Sequence, residues 1–371
     1  MGNSTPGDQT VAEALKDSIG VRVVTELADR FDAVGPGFDR ARLRGLADEL
    51  EGLELKDRIN LVADTIAAGQ EYLDTLGAVV AVAGDETLDA WASWPLCSVI
   101  ERHGGEHPDE SLVAMETVTR RCSCEFAIRP FLEHHPDLTF RYLDQWVDDD
   151  DEAVRRLVSE GTRPLLPWGP RVRRLIDQPE RAITLLDRLR LDPSPTVRRS
   201  VANHLNDVAK FNPGLVISTI ERWMGQDPAP AGSLVSHALR TLVKSGNGDA
   251  LRLLGFTTEP EVMVEEFACR PATIELGASV NLTATIRSTA STPQHLVVDF
   301  VIHHVKANGD RSPKVFKWKT VSLAPGETVQ LTKSRSVRPI STRTYHPGRH
   351  AVDLKIAGQV LATTDFDLRI P

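Results

Sequence analysis

Two acidic residues and one tryptophan in the middle of the chain have side chains that stabilise positive charge. Glu125 and Asp207 carry carboxylates, and Trp168 lies between them in the sequence. Carboxylates attract cations directly, and the face of an indole attracts them through its π electrons. Two arginines, Arg156 and Arg163, belong to the same region. The set predicts a site that handles a cation.

The first carboxylate also has an ordinary structural explanation. We interpret Arg121–Arg129 as a helix that is ended by Pro130. On the surface of that helix, Glu125 would pair with Arg121 or Arg129. The residue types alone leave both explanations open.

The other members of the set have structural explanations as well. Asp207 lies near the end of a predicted helix, where it opposes the helix dipole, and a salt bridge to Lys210 would offset this effect. Trp168 lies in a loop that three prolines make stiff. There it either presents an aromatic face or fills a gap between helices. The two arginines are alternatively partners of Glu160.

The charge of −9 is unevenly distributed along the 371 residues. Residues 1–110 carry 9 basic and 22 acidic side chains. Residues 155–210 carry 12 basic and 6 acidic ones, and residues 268–371 carry 14 and 7. Two basic segments on an acidic chain predict a localised surface for a polyanion such as nucleic acid. Alternatively, these arginines only solvate helix faces.

Helical periodicity covers residues 11 to about 258. Apolar residues at i, i+3 and i+4 predict helices at Val11–Phe31, Arg40–Leu55 and Asp57–Leu76. Asp39 is positioned to cap the second of these helices. Most of this region therefore consists of amphipathic helices.

The helices repeat after residue 110. Ala153–Glu160 aligns with Thr196–Asn203 at an offset of 43 residues, and Trp146 and Leu189 share that offset. A weaker copy follows at Ser233–Leu242. Helix pairs with a period of about 40–47 residues are typical of HEAT-like solenoids.

The repeat around residue 200 has the clearest helix start, because Ser194 can cap it and Pro195 suits its first turn. Its buried stripe is predicted to contain Val197, Val201, Leu205 and Val208. Its polar face is predicted to contain Arg199, Asn203, Asn206, Asp207 and Lys210. In the preceding repeat, Arg156, Glu160 and Arg163 share the polar face. Neighbouring repeats would thus present their charged faces side by side.

The pattern changes to short strands near residue 259. Strands are predicted at Val280–Ile286, Leu296–Val305, Val315–Val321, Thr328–Thr332 and Ala351–Ile356. About seven such strands in about 105 residues are typical of an immunoglobulin-like sandwich. We predict a disordered N-terminus (1–10), a HEAT-like α-helical solenoid (11–258) and an Ig-like β-sandwich domain (259–371). The fold class is multidomain, α then β.

Several classes of site are absent from the sequence. No apolar run is long enough for a membrane span, and no secretory signal is recognised, so we expect a cytoplasmic protein. The four cysteines lack zinc-ligand spacing and are expected to be reduced thiols. We expect no metal and no cofactor, because no phosphate-binding or dinucleotide-binding loop occurs.

Four stretches resemble the AlkC/AlkD-type DNA alkylation repair glycosylases, and the AlkC branch most closely. They are Ala14–Asp17, Leu53–Arg58, Glu125–Pro213 and Ile340–His350. The family form usually has Thr or Ser before Ser-Glu-Phe, whereas this chain has Cys122-Ser123-Cys124. The resemblance implies HEAT-like repeats, and some members carry an Ig-like C-terminal domain.

The resemblance also implies an activity and its residues. The family excises small cationic bases such as 3-methyladenine and, in the AlkC branch, 3-methylcytosine, without flipping the base. Glu125 and Asp207 resemble the catalytic carboxylates, and Trp168 resembles the aromatic residue beside the lesion. The residues expected to bind double-stranded DNA are Arg156, Arg163, Arg199, Asn203, Lys210, Arg343 and Arg349. We expect a monomer in the bacterial cytosol, associated with the nucleoid.

The chemistry is consistent with those residue types. An N3-alkylated base already carries positive charge, so it leaves without protonation, and the transition state places positive charge on the deoxyribose. Carboxylates beside C1′ stabilise that charge, and one can activate water. The alternative hypothesis is a non-enzymatic HEAT-repeat scaffold that binds DNA structure or a protein.

Overall fold

The computed structural model describes residues 15–35, 37–340 and 343–370. The predicted disordered N-terminus, 1–10, lies outside these residues. The first part of the chain is helical. The helices are α1 (Val21–Val34), α2 (Arg40–Glu49), α3 (Leu55–Ala67), α4 (Tyr72–Ala83), α5 (Ala90–His103), α6 (Pro108–Thr119), α7 (Ile128–His134), α8 (Pro136–Trp146), α9 (Glu152–Gly161), α10 (Arg173–Asp177), α11 (Glu180–Leu189), α12 (Pro195–Val208), α13 (Pro213–Met224), α14 (Gly232–Ala238), α15 (Arg240–Ser245) and α16 (Gly248–Leu253).

Glycines interrupt two of the helices that periodicity predicts. The predicted helix Arg40–Leu55 ends at Glu49 and is followed by Gly52 at φ 82°. The predicted helix Asp57–Leu76 is wrong as a single element, because α3 ends before Gly69 at φ 86° and α4 begins after it. A positive φ ends a right-handed helix, and glycine adopts it without a steric penalty. Apolar spacing continued across both breaks and concealed them.

The predicted helix caps are confirmed. The side chain of Asp39 accepts a hydrogen bond from the backbone N–H of Arg42, 2.8 Å away, at the start of α2. The Ser194 side chain accepts from the backbone N–H of Thr196 at 3.2 Å, and Pro195 is the first residue of α12. Each cap satisfies a backbone N–H that the helix itself leaves without a partner.

The repeat at an offset of 43 residues corresponds to two successive helix pairs, α8–α9 and α11–α12. Trp146 ends α8 and Leu189 ends α11, and both side chains are buried. The predicted stripe of α12 is buried at all four positions: Val197, Val201, Leu205 and Val208. The weaker copy at Ser233–Leu242 is not one helix, since Leu239 separates α14 from α15.

The polar faces of α9 and α12 are less exposed than their periodicity predicts. Glu160 is 6% exposed, and Arg163, which lies just beyond the end of α9 at Gly161, is 7% exposed. On α12, Asn206 and Asp207 are 3% and 2% exposed. Neighbouring helices cover these positions, because α9 and α12 pack against each other. Buried charged groups require partners, and the partners build the site described below.

The strands form two sheets. They are β1 (Val262–Arg270), β2 (Thr273–Glu275), β3 (Ser279–Ser288), β4 (Gln294–Val305), β5 (Arg311–Leu323), β6 (Thr328–Ser336), β7 (Gly348–Ile356) and β8 (Gln359–Arg369). One sheet has the order β1-β3-β6, and the other has the order β2-β8-β7-β4-β5. The pairs are antiparallel except β2 with β8. The inward-facing residues of both sheets form one core.

The five predicted strands are found, and the sequence did not indicate β1, β2 or β8 as strands.

Helices α15 and α16 pack with the sandwich through Leu251, Val297 and Ala357. Gly246 and Gly358 meet there at φ 84° and 87°, and a Cβ on Gly358 would lie 2.2 Å from the Gly246 Cα. The domain boundary at residue 258 stays a prediction. Within the described residues, no helix has the length and apolarity needed to cross a membrane.

Candidate active site

Glu125 lies in a turn, not on a helix. Helix α6 ends at Thr119 and α7 begins at Ile128, so the predicted helix Arg121–Arg129 is wrong. Pro130 lies in the first turn of α7, where a missing backbone N–H costs nothing. The proline therefore starts a helix instead of ending one, and Glu125 precedes that start.

The carboxylate of Glu125 is held by residues from two elements. Its Oε2 lies 2.9 Å from Arg156 Nη1, and it accepts a hydrogen bond from Ser123 Oγ, also at 2.9 Å. Arg156 Nη1 also donates to Ser123 Oγ at 3.1 Å, which closes a triangle. Both expected alternative partners bind elsewhere: Arg121 donates to a backbone carbonyl, and Arg129 donates to three. Glu125 is thus fixed by α9, the helix that carries Arg156.

Trp168 is presented to solvent. Its side chain is 82% exposed, so the alternative in which it fills a gap between helices is wrong. Its φ of 64° lies in the left-handed region, which is uncommon for a bulky residue. Such backbone conformations persist where the surrounding structure determines them.

Arg129, which the sequence analysis considered only as an ion-pair partner, holds the Trp168 loop. Its Nε donates to the Pro170 carbonyl at 2.6 Å, and its Nη1 donates to the carbonyls of Gly161 and Arg163 at 3.1 and 2.9 Å. The side chain is 1% exposed. Burial, and then the charge of Arg163, lower the pKa of Arg129 to about 10. A buried arginine that donates to loop carbonyls fixes the path of the chain on both sides of Trp168.

Glu125, Arg156 and Trp168 line the same cleft, whose volume is about 420 Å³. We call it the reaction cleft. Its lining residues are Trp94, Cys122, Ser123, Glu125, Phe126, Arg156, Glu160, Leu166, Pro167 and Trp168. Two carboxylates and one guanidinium are among them, so the cleft favours a cation.

One wall of the reaction cleft is aromatic. The rings of Trp94 and Phe126 stack, with centroids 6.3 Å apart and planes 9° apart. Trp91 continues the stack behind Trp94, with centroids 5.9 Å apart. Sequence reasoning missed Trp94, because it lies in the segment Asp85–His107, which is rich in Trp, Gly and Pro and for which apolar spacing predicted no helix.

Asp207 is not among the residues that line the reaction cleft. It is buried, and its Oδ2 accepts from Arg163 Nε at 2.9 Å. Its Oδ1 accepts from Lys210 Nζ at 3.1 Å, so the predicted salt bridge is present. Arg163 Nη1 in turn donates to Glu160 Oε1 at 2.6 Å. Asp207 is therefore connected to the cleft through Arg163 and Glu160.

Glu160 lines the reaction cleft and also takes part in the buried hydrogen bonds that connect Arg163 and Asp207. Its Oε2 accepts from Ser200 Oγ at 2.6 Å, and Ser159 Oγ donates to the same serine at 2.7 Å. Burial by itself lowers the pKa of Arg163, but the carboxylates of Glu160 and Asp207 outweigh that effect and raise it. The sequence did place Glu160 beside Arg163, and only the packing of α9 on α12 shows that both are buried.

The remaining predicted DNA-binding residues lie at several places. Arg199 is exposed and lines a cleft of about 320 Å³ with Arg198 and His237. Asn203 Oδ1 accepts from His237 Nε2 at 2.8 Å. Lys210 remains 44% exposed while it pairs with Asp207.

The two arginines predicted to bind DNA from the sandwich have partners within the sandwich. Arg349 pairs with Asp365 at 2.6 Å, and its side chain is 66% exposed. The guanidinium of Arg343 lies 5.9 Å from the centroid of the Tyr345 ring. These contacts do not test whether either arginine binds DNA, so both DNA contacts stay predictions.

Three cysteines meet beneath the Glu125 turn. Cys124 Sγ lies 3.4 Å from Cys97 Sγ, and Cys97 Sγ donates to the Cys122 carbonyl at 3.3 Å. The contact with Cys97 and burial raise the pKa of Cys122 well above its usual value. Among the described residues, no group of three His, Cys, Asp or Glu side chains is arranged to hold a metal ion.

Comparison with known proteins gives relatives over nearly the whole chain. Residues 263–370 match the family described as "Uncharacterised protein YhaZ, C-terminal Ig-like domain". The chain is 30% identical to YhaZ of Bacillus subtilis (strain 168) over 358 residues, which cover 95% of this chain and 99% of that protein.

A solved structure extends the comparison to three dimensions. It is the Pseudomonas fluorescens alkylpurine DNA glycosylase AlkC, bound to DNA containing an abasic site analog. The match has a TM-score of 0.89 and 37% identity, and it covers 96% of this chain and 99% of the other. The chain therefore belongs to the family of YhaZ and AlkC, in which a HEAT-like helical region is followed by an Ig-like β-sandwich.

Proposed function

We propose that this protein is a monofunctional DNA glycosylase that hydrolyses the N-glycosidic bond of small cationic bases, 3-methyladenine and 3-methylcytosine. The observation that carries the proposal is the reaction cleft, in which Glu125, held by Arg156, lies with the exposed indole of Trp168. The similarity to a DNA glycosylase over 96% of the chain supports the same class of reaction. The substrate is double-stranded DNA, and the enzyme acts as a cytoplasmic monomer.

Bond cleavage begins with a base that is already cationic. In 3-methyladenine the C1′–N9 bond breaks, and its electron pair neutralises the ring as the base leaves. The sugar becomes an oxocarbenium ion, whose charge the carboxylates of the cleft stabilise. The face of Trp168 adds about 0.5–2 kcal/mol to that stabilisation.

Water completes the reaction at C1′. Glu125 is placed to take the proton of the attacking water, because Arg156 and Ser123 both bind Oε2. Within the described residues, no hydrogen bond uses its other carboxylate oxygen, so that oxygen can act as the base. The products are the neutral base, an abasic site and one proton. A cationic leaving group needs no acid, so the reaction does not require a flipped base in a deep pocket.

Asp207, which the resemblance implies is the second catalytic carboxylate, is proposed to act as a positioning residue for the cleft. Through Arg163 it orients Glu160, which lines the cleft. An effect of Asp207 on base release would thus pass through Glu160. The exposed Arg199, together with Asn203 and Lys210, would contact phosphates and make DNA binding depend on salt.

The test is base release from methylated duplex DNA at low salt. Glu125→Gln and Asp207→Asn are compared with wild type and with Glu152→Gln, an exposed acid on the same helix as Arg156. We expect wild type and Glu152→Gln to release 3-methyl bases. The other two variants should lose release, by about 100-fold or more, while they still bind DNA.

The alternative function is a DNA-binding scaffold without activity. It predicts tight, salt-dependent DNA binding with no base release by the wild type, and that result would refute the glycosylase proposal. Loss of DNA binding in Glu125→Gln would also contradict the assigned role, because the proposal gives Glu125 a part in the reaction and not in affinity.

A further inference from the structure

A second cleft adjoins the reaction cleft and shares its aromatic wall. It has a volume of about 330 Å³, and Trp94, Phe126 and Trp168 line both clefts. Its other side is formed mainly by α3 and α5. We call it the apolar cleft. Its volume is within the range of about 300–1,000 Å³ that is usual for small-molecule sites.

The walls of the apolar cleft suit a flat ring. Leu55 and Ile59 contribute aliphatic surface opposite the stacked pair of Trp94 and Phe126. Aromatic faces and aliphatic side chains bind planar heterocycles by stacking and by excluding water. Lys16 and Lys56 line the apolar cleft outside the wall that is shared with the reaction cleft.

Polar groups in the apolar cleft can form hydrogen bonds with the edge of such a ring. Ser98 Oγ donates to Asn60 Oδ1 at 3.0 Å, which leaves the Asn60 amide N–H groups as donors. The carboxylate of Glu101, also in the cleft, is an acceptor. A purine carries ring nitrogens that accept and, in adenine, an exocyclic amine that donates. The Asn60 amide as donor and the Glu101 carboxylate as acceptor match that edge.

The two clefts differ in charge, and the reaction changes the charge of the base. The reaction cleft holds two carboxylates and one guanidinium, so its formal charge is negative and suits a cation. In the apolar cleft two carboxylates, Glu54 and Glu101, are balanced by Lys16 and Lys56, and the aromatic and aliphatic walls suit a neutral ring. Cleavage of the glycosidic bond converts a cationic base into a neutral one. The carboxylates then lose their attraction for the base, while the shared aromatic wall continues into the apolar cleft.

We propose that the apolar cleft binds a neutral purine-type heterocycle. The inference rests on the proposed function for the origin of the ligand. The heterocycle is either the base released by the reaction or an unpaired normal base of the DNA strand beside the lesion. Asn60 and Glu101 contact the edge of the ring, and Leu55, Ile59 and the shared aromatic wall contact its faces.

The first experiment measures binding of free base without catalysis. Adenine and 3-methyladenine are titrated against the full chain by equilibrium dialysis. We expect saturable binding, about tenfold weaker in Asn60→Ala, which lacks the amide donor. Leu55→Trp places an indole in the cleft and should abolish binding. Circular dichroism and thermal unfolding of both variants show whether they fold, and Asn60→Ala changes only a half-buried polar group.

The second experiment distinguishes the two origins of the ring. A duplex with a stable abasic analogue carries the fluorescent purine 2-aminopurine next to the abasic position. A fluorescence change on binding that Leu55→Trp removes identifies a strand base as the ligand. Binding of free base, together with product inhibition that disappears in Leu55→Trp, identifies the released base.

Other outcomes overturn the proposal. If neither free base nor 2-aminopurine responds, the apolar cleft does not bind a purine-type ring. If free base binds but only Glu125→Gln weakens it, the ligand belongs to the reaction cleft. Single-turnover base release by the wild type is measured in parallel. Failure of the glycosylase proposal would appear there, in the wild type, and not in the dialysis.

Discussion

Arg163 links Asp207 to the reaction cleft: its Nε lies 2.9 Å from Asp207 Oδ2, and its Nη1 lies 2.6 Å from Glu160 Oε1. The two carboxylates come from equivalent helices of successive repeats, Asp207 from α12 and Glu160 from α9. One buried guanidinium therefore binds a carboxylate from each of two repeats, and one of these carboxylates lines the reaction cleft.

Removing that guanidinium should destabilise the helical region. Arg163→Met leaves two buried carboxylates without their shared cation, and we expect a loss of about 3–5 kcal/mol in the free energy of unfolding. Urea unfolding followed by circular dichroism measures it. The control is Arg173→Met, which breaks the exposed pair with Asp177 and should cost at most about 1 kcal/mol. Equal losses in both variants would contradict the proposed coupling.

Trp168 should matter for activity and not for stability. Because its side chain is 82% exposed, Trp168→Ala should change the free energy of unfolding by less than about 1 kcal/mol. Base release should fall by up to about 30-fold, which corresponds to the loss of a cation–π contact of about 2 kcal/mol. Trp146→Ala, at a buried tryptophan, should instead cost about 3–5 kcal/mol. A large loss of stability in Trp168→Ala would contradict the exposed position.

Arg199 should contribute a phosphate contact. In Arg199→Ala, affinity for duplex DNA should fall by a similar factor for damaged and undamaged duplexes. The slope of log affinity against log salt concentration should decrease by about 1. Fluorescence anisotropy at several salt concentrations measures both quantities. Arg22→Ala, at an exposed arginine of α1, is the control and should leave the slope unchanged. An unchanged slope in Arg199→Ala would show that Arg199 does not contact a phosphate of the DNA.

His204 should make the helical region less stable in acid. Burial lowers its pKa to about 4, and its Nδ1 donates to the Ser159 carbonyl at 3.1 Å. The unfolded chain binds a proton near pH 6.5, whereas the folded chain does so only near pH 4. The free energy of unfolding therefore falls as the pH drops from about 6.5 to 4, by about 3 kcal/mol in total. Above pH 7 His204 is neutral in both states, so its protonation no longer affects the free energy of unfolding.

The variant His204→Asn provides the comparison, because its amide can donate in place of Nδ1. Chemical unfolding of both proteins at several pH values gives the difference between them. We expect that difference to change between pH 6.5 and 4 and to be constant above pH 7. Other histidines, such as His304 in the sandwich, titrate in both proteins and cancel. A constant difference across the whole range would show that folding does not lower the pKa of His204.

The cysteines beneath the Glu125 turn should resist alkylation. The pKa of Cys97 is well above its usual value; contact with Cys122 lowers it, but contact with Cys124 and burial outweigh that effect. Iodoacetamide reacts with the thiolate, so native protein at pH 7.5 should be labelled slowly at Cys97 and Cys122. Mass spectrometry of digested protein locates the label, and protein unfolded in guanidinium is the control. Rapid labelling of Cys122 in the native protein would contradict its raised pKa.

Short-range signals in the sequence were sufficient for the architecture. The offset of 43 residues between Trp146 and Leu189 indicated the helix pairs, and Ser194 indicated the start of α12. Alternating residues and turn signals identified five strands of the sandwich. These features depend on neighbours within a few residues, so the linear pattern contains them. Glycines at positive φ, such as Gly69, broke helices that the apolar spacing predicted as continuous.

The site depended on contacts between residues far apart in the chain. The sequence named Glu125, Arg156 and Trp168, and the tertiary structure brings them to one cleft with Trp94 and Glu160. Helical spacing shows which residues share a face, but not whether the next repeat covers that face. That is why Asp207 was predicted on a polar face and is buried against Arg163. A charged side chain is buried only where folding supplies its partner, and here the partner, Arg163, lies 44 residues before Asp207 in the chain.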